Sequence, residues 1–413
     1  MANTSKYRPR YDTHGVALHT GERQRKTGTY EYQYKDSTGV WKRISAPTLP
    51  ELREKEKEVN RDASDNIRAG SKEITLDYFY AKWKQTKAGL RDNVRSNYMD
   101  MYASHVQPKL GKRNVKTIKT SDVKALYNNM LKDGYAVGTI DNVHTILHQI
   151  LQLAYEDDYI RRNPSDGCMK EIKRSAKQTP GRKRVALTPE QQERLRYVLY
   201  EYNHSEYLHW YPIYIFAMHT GLRLGEFTAL QWSDIDFAHR TVTVSKTLVY
   251  YMDRDTGKQT LAMHPVPKTD TGNRTIPLSN LALGALKLQY AQTRQHGKQC
   301  AVTVDKYDDF VFLNRFNAPY TQGSLNKALR DRIIPAANED AIKHGAVILP
   351  SFSCHSLRHT FCSNLCRADI NIKTIQKLMG HSDIQTTLDV YTEFTGKELQ
   401  QGVTQLDDWL TKH

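Results

Sequence analysis

The sequence predicts a mixed, mainly α-helical protein of three domains: a small β-sheet with one helix, a four-helix unit and a larger α+β domain. Three observations support this prediction. Residues 30–44 alternate like a β-hairpin, and residues 74–160 space their apolar side chains at helical intervals. Residues 241–278 then return to strand-like patterns between helical stretches. The chain of 413 residues is long enough for two or three domains of ordinary size.

The first domain is predicted at residues 21–70, behind a flexible basic arm at residues 1–20 that shows no periodicity. Three tyrosines at alternate positions mark one strand within residues 30–34, and the turn at residues 36–39 leads into a returning strand. A polar helix is expected from about Pro50 to Arg68. The tyrosines could pack against this helix as a small core, or the sheet could lie with its aromatic side chains on DNA.

Cations of this first domain and of a later linker are candidate DNA contacts. In the sheet they lie in a short basic run and on the returning strand, and in the linker they form a cluster. These residues are Arg23, Arg25, Lys26, Lys42, Arg43, Arg182, Lys183 and Arg184.

The helical unit is predicted at residues 74–163, followed by a basic linker at residues 164–186 and an α+β domain with a C-terminal helix at residues 187–413. Within the last domain, residues 253–257 have the composition of a hairpin turn between two strands. Residues 161–184 alone carry nine Lys and Arg against two acids.

The formal net charge of +15 favours a polyanionic partner, because each phosphate that a protein neutralises releases condensed counterions. A basic protein without such a partner remains the alternative on charge alone. No apolar run approaches the roughly 18 residues of a membrane span, and the N-terminus lacks a signal core. Five scattered cysteines do not form a disulfide framework, so we expect a reducing cytoplasm and no membrane association.

The sequence lacks the motifs of two common classes of enzyme, the P-loop nucleotide hydrolases and the serine esterases. Neither a phosphate-binding P-loop motif nor the nucleophile-elbow motif of serine esterases occurs. A zinc site could use His355, His359, Cys362 and Cys366, which helical spacing brings near one face. The fixed charge of Arg358 among them opposes a cation, so buried cysteines acting as small apolar residues are the favoured interpretation, and no metal or other cofactor is expected.

Four segments in the last 200 residues carry a stronger pattern. They hold an Arg after a Gly, a Lys in a strand-turn region, a His-x-x-Arg sequence, and a Gly-His followed by a Tyr. The segments are residues 220–226, 267–278, 355–360 and 378–391. Their order and spacing resemble the tyrosine recombinases of the phage-integrase superfamily, most closely integrases of conjugative transposons and related integrative elements. The helical unit also resembles the family's core-site DNA-binding domain, and the small sheet resembles its arm-site domains.

This resemblance implies six catalytic residues: two arginines on the phosphate, a lysine that protonates the 5′ oxygen, two histidines and a tyrosine nucleophile. They are Arg223, Lys268, His355, Arg358, His381 and Tyr391. Electrostatics agrees with these roles, since two arginines stabilise a doubly charged phosphoryl transition state and donate in pairs to its oxygens. The resemblance also implies a 3′-phosphotyrosyl intermediate, which conserves the bond energy and needs neither ATP nor metal.

Alternatives remain for individual residues. Arg223 could pair with Glu226 on a helix surface, the two histidines could be ordinary buried residues, and Tyr391 could be a core residue. Lys246 or Lys258 could serve in place of Lys268, because both lie in the same region.

The implied activity is integration and excision of a mobile element in a bacterial cytoplasm, on the nucleoid, through a Holliday junction. The implied partners are double-stranded DNA with core-type and arm-type sites, three further copies of the chain in a tetramer, and an excisionase or host DNA-bending protein. The apolar stripe of Leu399, Val403, Leu406 and Leu410 could dock on its own domain or on a neighbouring protomer. A type IB topoisomerase and a non-catalytic DNA-binding regulator are the competing functions.

Overall fold

The computed structural model of the chain describes residues 10–35, 39–64, 74–178, 186–202, 204–265, 272–295, 297, 299–391 and 411. These residues form two compact units, which divide between residues 181 and 182. Among the described residues, no helix is both long enough and apolar enough to cross a membrane.

The first unit begins with five short strands and one helix. These are β1 (Arg10–Tyr11), β2 (Ala17–Leu18), β3 (Glu22–Gln24), β4 (Tyr30–Lys35), β5 (Trp41–Ala46) and α1 (Leu49–Ser64). The β1–β2 ribbon lies inside the segment predicted as a flexible arm, so that prediction is wrong for residues 10–18. The reason is a local turn, in which the Asp12 carboxylate accepts hydrogen bonds from the backbone N–H groups of His14 (2.9 Å) and Val16 (2.8 Å).

Strands β3, β4 and β5 form an antiparallel sheet in that order, with one face packed against α1. Tyr30 is buried with Leu49 and Leu52, and its hydroxyl donates to the Asp12 carboxylate at 2.8 Å. Tyr32 packs on the edge of the same cluster. Of the two expectations for the tyrosines, packing against the helix therefore holds for these two residues.

A helical bundle completes the first unit. Its elements are α2 (Leu76–Thr86), α3 (Asp92–Met101) with a π-helical extension (Tyr102–Gly111), a 3-10 turn (Val115–Thr117), α4 (Thr120–Lys132), α5 (Val137–Glu156) and α6 (Met169–Gln178). Helix α5 lies at the centre, because it buries seven apolar side chains along its length.

Helix α6 lies within the segment predicted as a linker. Cys168, Met169 and Ile172 are buried in the core of the bundle. The basic stretch therefore continues the helical unit from the predicted boundary at residue 163 to at least Gln178. The high density of cations masks these few apolar residues in the sequence.

The second unit is mainly helical, with two small sheets. Its elements are α7 (Pro189–Tyr200), α8 (His204–Tyr207), a 3-10 turn (Leu208–Trp210), α9 (Tyr211–Thr220), α10 (Leu224–Thr228), a 3-10 turn (Trp232–Asp234), β6 (Ile235–Asp236), β7 (Thr241–Val244), β8 (Lys246–Asp253), β9 (Lys258–Pro265), β10 (Arg274–Pro277), α11 (Asn280–Tyr290) with a π-helical extension (Ala291–Gln295), α12 (Gln322–Ala328), a π-helical turn (Leu329–Ile333), α13 (Ile334–His344), α14 (Cys354–Arg367), α15 (Ile372–Met379) and α16 (Gln385–Tyr391).

Helix α9 is apolar on all sides and forms the centre of this unit, with α11 and α14 packed against it. One sheet has the order β10-β7-β6, and the facing residues Ile276 and Val242 are both buried. The other sheet is the β8–β9 hairpin, whose turn lies at residues 254–257 as the sequence predicts. This core positions the C-terminal end of α9 and the first turns of α14, where several polar residues converge.

Candidate active site

Arg358 is a buried cation held by two backbone carbonyls. It lies on α14 with 4% of its surface exposed. Its Nη1 donates to the carbonyl of Gly221 at 2.6 Å, and its Nη2 donates to the carbonyl of Met379 at 2.6 Å. The guanidinium therefore connects the C-terminal ends of α9 and α15, and its position depends on both helix ends.

Arg223 lies immediately before α10 and reaches the same region. Its Nη2 donates to the carbonyl of Gly380 at 2.7 Å, and its Nη1 donates to the Glu226 carboxylate at 2.8 Å. About half of the side chain is exposed. The i, i+3 pair with Glu226 that the sequence allowed is therefore present, but it does not leave Arg223 on an unrelated surface.

Glu226 is a buried carboxylate shared by two arginines. Arg274 on β10 donates to it from Nη2 at 2.8 Å and from Nη1 at 3.3 Å. Arg274 also donates from Nε to the carbonyl of Leu378 at 3.3 Å. Burial opposes ionisation of Glu226, but the bonds from Arg274 and the charge of Arg223 hold the pKa of this carboxyl below its usual value.

The sequence pattern did not predict a role for Arg274, although this residue lies in the motif segment at residues 267–278. The available signal was the alternation of β10, because Arg274 and Ile276 fall on the same face and Ile276 is a core residue. A charged residue on a buried face requires a partner. Here that partner is Glu226.

Two glycines in left-handed conformation supply carbonyls to the arginines. Gly221 (φ 62°) ends α9, and Gly380 (φ 64°) ends α15. A Cβ on Gly221 would lie 2.3 Å from Cδ1 of Phe361, so either the Phe361 ring or the backbone would have to move. Both turns therefore favour glycine, and each turn places one acceptor against a guanidinium.

We expect Gly221→Ala to destabilise the protein by about 1–3 kcal/mol and to lower DNA cleavage, because the strained turn displaces an acceptor of Arg358. Gly345→Ala is the matched control, since Gly345 also ends a helix at φ 63° but has open space around its Cα. Urea unfolding and a cleavage assay measure both effects. Equal losses of cleavage in the two variants would contradict the role given to Gly221.

Two histidines lie beside the arginines, in different environments. His355 is exposed on α14, and its ring meets that of His359 edge-on with centroids 4.9 Å apart. His381 is buried, directly after the glycine that ends α15. Its Nδ1 lies 2.9 Å from the Thr387 hydroxyl. The alternative of an ordinary buried histidine is thus excluded for His355 by its exposure.

Burial lowers the pKa of His381 to about 4, and the nearby charges of Arg358 and Arg223, with smaller effects of His359 and Arg274, act in the same direction. His381 is therefore neutral at physiological pH. Burial also lowers the pKa of Arg358 to about 9, which leaves the guanidinium charged at neutral pH.

These side chains surround one cavity of about 210 Å³. Its polar lining comes mainly from the residue before α10, from α14 and from the segment after α15. The lining includes Arg223, His355, Arg358, His359, Cys362 and His381. Val390, the neighbour of Tyr391 at the end of α16, also lines it. Arg223 and Arg358 line this cavity, and Arg274 lies behind them on Glu226, the one carboxylate of the group. The region therefore carries excess positive charge and suits an anion.

We expect Glu226→Gln to lower the free energy of unfolding by about 3–5 kcal/mol at pH 7, because it leaves Arg274 buried without its counter-ion. The pKa of Glu226 in the folded state lies below its ordinary 4.5. The stabilisation is therefore present above pH 4.5 and is lost as the pH falls through the folded-state pKa. Urea titrations across that range measure it. If the difference in free energy of unfolding between wild type and variant stayed constant as the pH fell well below 4.5, this assignment would be contradicted.

The remaining predicted catalytic residues are less completely described. Lys268 lies outside the described residues, and the backbone of Tyr391 ends α16. Of the alternatives for the lysine, Lys246 is buried and bonded to Asp234 at 2.5 Å and 2.7 Å, so it is committed to an ion pair. Lys258 is exposed at the tip of the β8–β9 hairpin.

The cysteine and histidine residues of α14 do not form a metal site in the described part of the chain. Cys354 belongs to the main core, whereas Cys362 and Cys366 pack in a smaller cluster with Ile375 and Met379. All three cysteines are buried, as the apolar interpretation predicts. The group of described residues whose geometry could hold an ion is instead His19, Glu22 and Glu56. There Arg53 already donates to both oxygens of Glu22.

The sheet of the first unit has an open face opposite α1. Arg23 and Arg43 lie on this face with Trp41, whose side chain is largely exposed. Arg23 donates to the buried carboxylate of Glu31 at 2.7 Å. Arg25 also contacts Glu31.

Two other predicted contacts of the sheet lie elsewhere. Lys26 is exposed in the turn after β3. Lys42 pairs with Tyr34, so strand alternation places it on the α1 side of the sheet. Lys42 therefore does not share the open face with Arg23 and Arg43, and its contact with DNA stays a prediction.

Arg182, Lys183 and Arg184 lie outside the described residues, as does the apolar stripe from Leu399 to Leu410.

Comparison with known proteins agrees with this geometry. A model of the phage integrase family matches residues 186–398, and one of the DNA-binding domain of Tn916 integrase matches residues 6–63. The transposase from transposon Tn916 of Enterococcus faecalis is 34% identical over 407 residues, which cover 94% of each chain.

Two solved structures of the Tn1549 transposon integrase have the same fold. The complex with transposon right-end DNA has a TM-score of 0.67 and 27% identity, over 81% of this chain and 100% of that one. The complex with circular-intermediate DNA has a TM-score of 0.67 and 25% identity, over 80% and 99%.

Together the fold and the cation-lined cavity define a tyrosine recombinase, an enzyme that cleaves and rejoins DNA strands. This chain belongs to the phage integrase family, and it is a site-specific DNA integrase. Its mixed, mainly α-helical fold confirms the predicted class.

Proposed function

We propose that this chain integrates and excises a mobile element by forming a 3′-phosphotyrosyl bond through Tyr391. The observation that carries the proposal is the convergence of Arg223, Arg358, His355 and His381 around one cavity beside α16, the helix that carries Tyr391. A phosphodiester in this cavity is surrounded by donors from three separate segments: the residue before α10, helix α14 and the segment after α15.

The arginines supply the largest part of the catalysis. Transfer of a phosphodiester develops a second negative charge on the non-bridging oxygens, and prealigned guanidinium groups stabilise that charge without reorganisation. Arg358 is fixed by two carbonyls, and Arg223 is fixed by Glu226 and Gly380. The site is therefore organised before DNA binds.

The nucleophile requires activation. A phenol with a pKa near 10 is ionised to about 0.1% at pH 7, a handicap of about 4 kcal/mol. Positive charge at the cavity favours the phenolate. Tyr391 then attacks phosphorus, the bond to the 5′ oxygen breaks, and Lys268 donates a proton to that oxygen. His355 acts as acid and base, and His381 donates to a non-bridging oxygen.

Rejoining reverses these steps with a 5′ hydroxyl from the other duplex as the nucleophile. The phosphotyrosyl ester retains the energy of the broken bond, so the cycle needs no ATP and no metal. Exchange of both strands between two duplexes requires four cleavages. With one Tyr391 per chain, four protomers act through a Holliday junction in the cytoplasm of a bacterium, on its nucleoid. An excisionase or host DNA-bending protein selects the direction.

The open face of the N-terminal sheet binds arm-type DNA. Arg43, Arg23 and Trp41 provide cations and an exposed aromatic ring on one surface, with Lys35 5.3 Å from the centre of the Trp41 ring. Arg25 and Lys26 border this face in the chain. Arg182, Lys183 and Arg184 add cations beyond α6, where we propose contacts to the phosphates of the core site.

We expect Arg43→Ala to weaken binding of arm-type DNA and to reduce the slope of log affinity against log salt by about 1, because it removes one phosphate contact. Lys42→Ala is the matched control, since this neighbouring cation projects from the opposite face of the same strand. Fluorescence anisotropy over a salt series measures both. A larger loss in Lys42→Ala than in Arg43→Ala would contradict the assignment of the binding face.

Recombination between two DNA molecules tests the function itself. Purified protein is incubated with two labelled duplexes that carry the ends of the element encoding this chain and its target. The proposal predicts recombinant products and trapped Holliday junctions without ATP or metal. Relaxation of supercoiled DNA without any exchange would instead indicate a topoisomerase, and tight binding without cleavage would indicate a DNA-binding regulator.

A further inference from the structure

We propose that Thr387 is a positioning residue for the strand-transfer reaction, which acts by fixing His381 as a donor from Nε2. This inference rests on the proposed function, because it assigns the proton that His381 presents to the phosphate. Thr387 lies within the motif segment at residues 378–391, but the resemblance assigns it no role and the predicted catalytic set does not include it.

The contact between the two residues is buried and short. Thr387 has no exposed surface, and His381 is 8% exposed. The Thr387 Oγ1 lies 2.9 Å from Nδ1 of His381. Among the described residues, Nδ1 of His381 is the one hydrogen-bond partner of this hydroxyl.

Other buried threonines of this unit behave differently. The hydroxyls of Thr220, Thr360 and Thr293 each donate to the carbonyl four residues earlier in their helix. This local bond is the usual solution for a helical threonine. The described structure contains no such bond for Thr387, whose hydroxyl is directed to the imidazole instead.

The direction of the bond follows from the partners. His381 is neutral near pH 7, so one ring nitrogen carries a proton and the other carries a lone pair. A buried hydroxyl with a single partner has the lowest free energy when it donates its proton to that partner. An O–H group without an acceptor would carry the full cost of desolvation. Thr387 therefore donates to Nδ1, and the proton of His381 resides on Nε2.

This tautomer has a chemical consequence. A neutral imidazole with its proton on Nε2 can donate to a non-bridging phosphate oxygen, whereas the other tautomer would present a lone pair to that oxygen. Thr387 also lies one helical turn before Tyr391 in α16. The same hydroxyl therefore ties the helix that carries the nucleophile to the group that stabilises the transition state.

The test compares Thr387→Val, which removes the hydroxyl at nearly constant shape, with Thr387→Ser, which retains it. Single-turnover cleavage of a nicked duplex bearing the element end is measured for the full-length chain. We expect Thr387→Val to slow cleavage by about 10- to 100-fold, comparable to the loss of a supporting hydrogen bond to a metal-ligating histidine, with unchanged DNA affinity. Thr387→Ser should restore most of the rate. Thr293→Val controls for removal of a buried hydroxyl far from the reaction.

A double-mutant cycle separates positioning from structure. If Thr387 acts through His381, then Thr387→Val has no further effect on the rate in a His381→Ala background. The same loss in both backgrounds, or full activity of Thr387→Val, would overturn the proposal. Failure of the proposed function is distinct, because wild-type protein would then form no covalent adduct. Thermal unfolding of each variant identifies any that fails to fold.

Discussion

Tyr391→Phe is expected to bind DNA like the wild type and to form no covalent adduct. The substitution keeps the ring and removes the one oxygen that can attack phosphorus. Because the other donors of the cavity lie just before α10, on α14 and in the segment after α15, they remain in place. Loss of a nucleophile removes the covalent route entirely, so adduct formation should fall by about 10⁴-fold or more.

Denaturing gels of the protein with a nicked duplex measure this effect, and a mobility shift under native conditions measures binding. Tyr250→Phe is a suitable control, since Tyr250 is an exposed tyrosine of the β8–β9 hairpin. Adduct formation by the Tyr391→Phe protein at the wild-type level would remove Tyr391 from the mechanism.

Arg223→Lys is expected to reduce the rate of cleavage by about 10²- to 10³-fold while leaving DNA affinity nearly unchanged. Lysine keeps the positive charge, which accounts for most of the affinity, but it cannot donate to Glu226, to the Gly380 carbonyl and to a phosphate oxygen from one planar group. The Arg223→Lys protein would keep a positive charge in the cavity, but its N–H donors would no longer be held in a fixed direction.

The comparison uses Arg330→Lys, because Arg330 is an exposed arginine of the same unit paired with the adjacent Asp331. Single-turnover rates and equilibrium affinity are measured for both variants. Equal cleavage by Arg223→Lys and wild type would show that the fork of the guanidinium has no catalytic function.

Much of the fold could be predicted because its signals are local. Helical spacing predicts α2 to α5, and a turn-forming run of residues predicts the β8–β9 hairpin. The ribbon at residues 10–18 was missed because a side-chain turn at Asp12, rather than any apolar pattern, stabilises it. Helix α6 was missed because three apolar residues anchor it within a cationic segment.

The candidate site was predicted from motif order, and the structure brings four of the six residues to one cavity. Their catalytic roles stay predictions, as do the positions of Lys268 and the Tyr391 side chain. What motif order could not supply is the support around them. Arg274 and Glu226 lie 48 residues apart in the chain and meet only after folding. The link from Thr387 to His381 likewise depends on how α16 is placed.

Covalent trapping with identification of the modified residue tests the central claim most directly. Full-length protein is incubated with a nicked suicide duplex that carries the end of its element, without ATP or metal, and the adduct is digested and analysed by mass spectrometry. The account predicts a nucleotide attached to Tyr391 through its 3′ phosphate. A nucleotide on any other residue, or no adduct despite tight binding to that duplex, would contradict it.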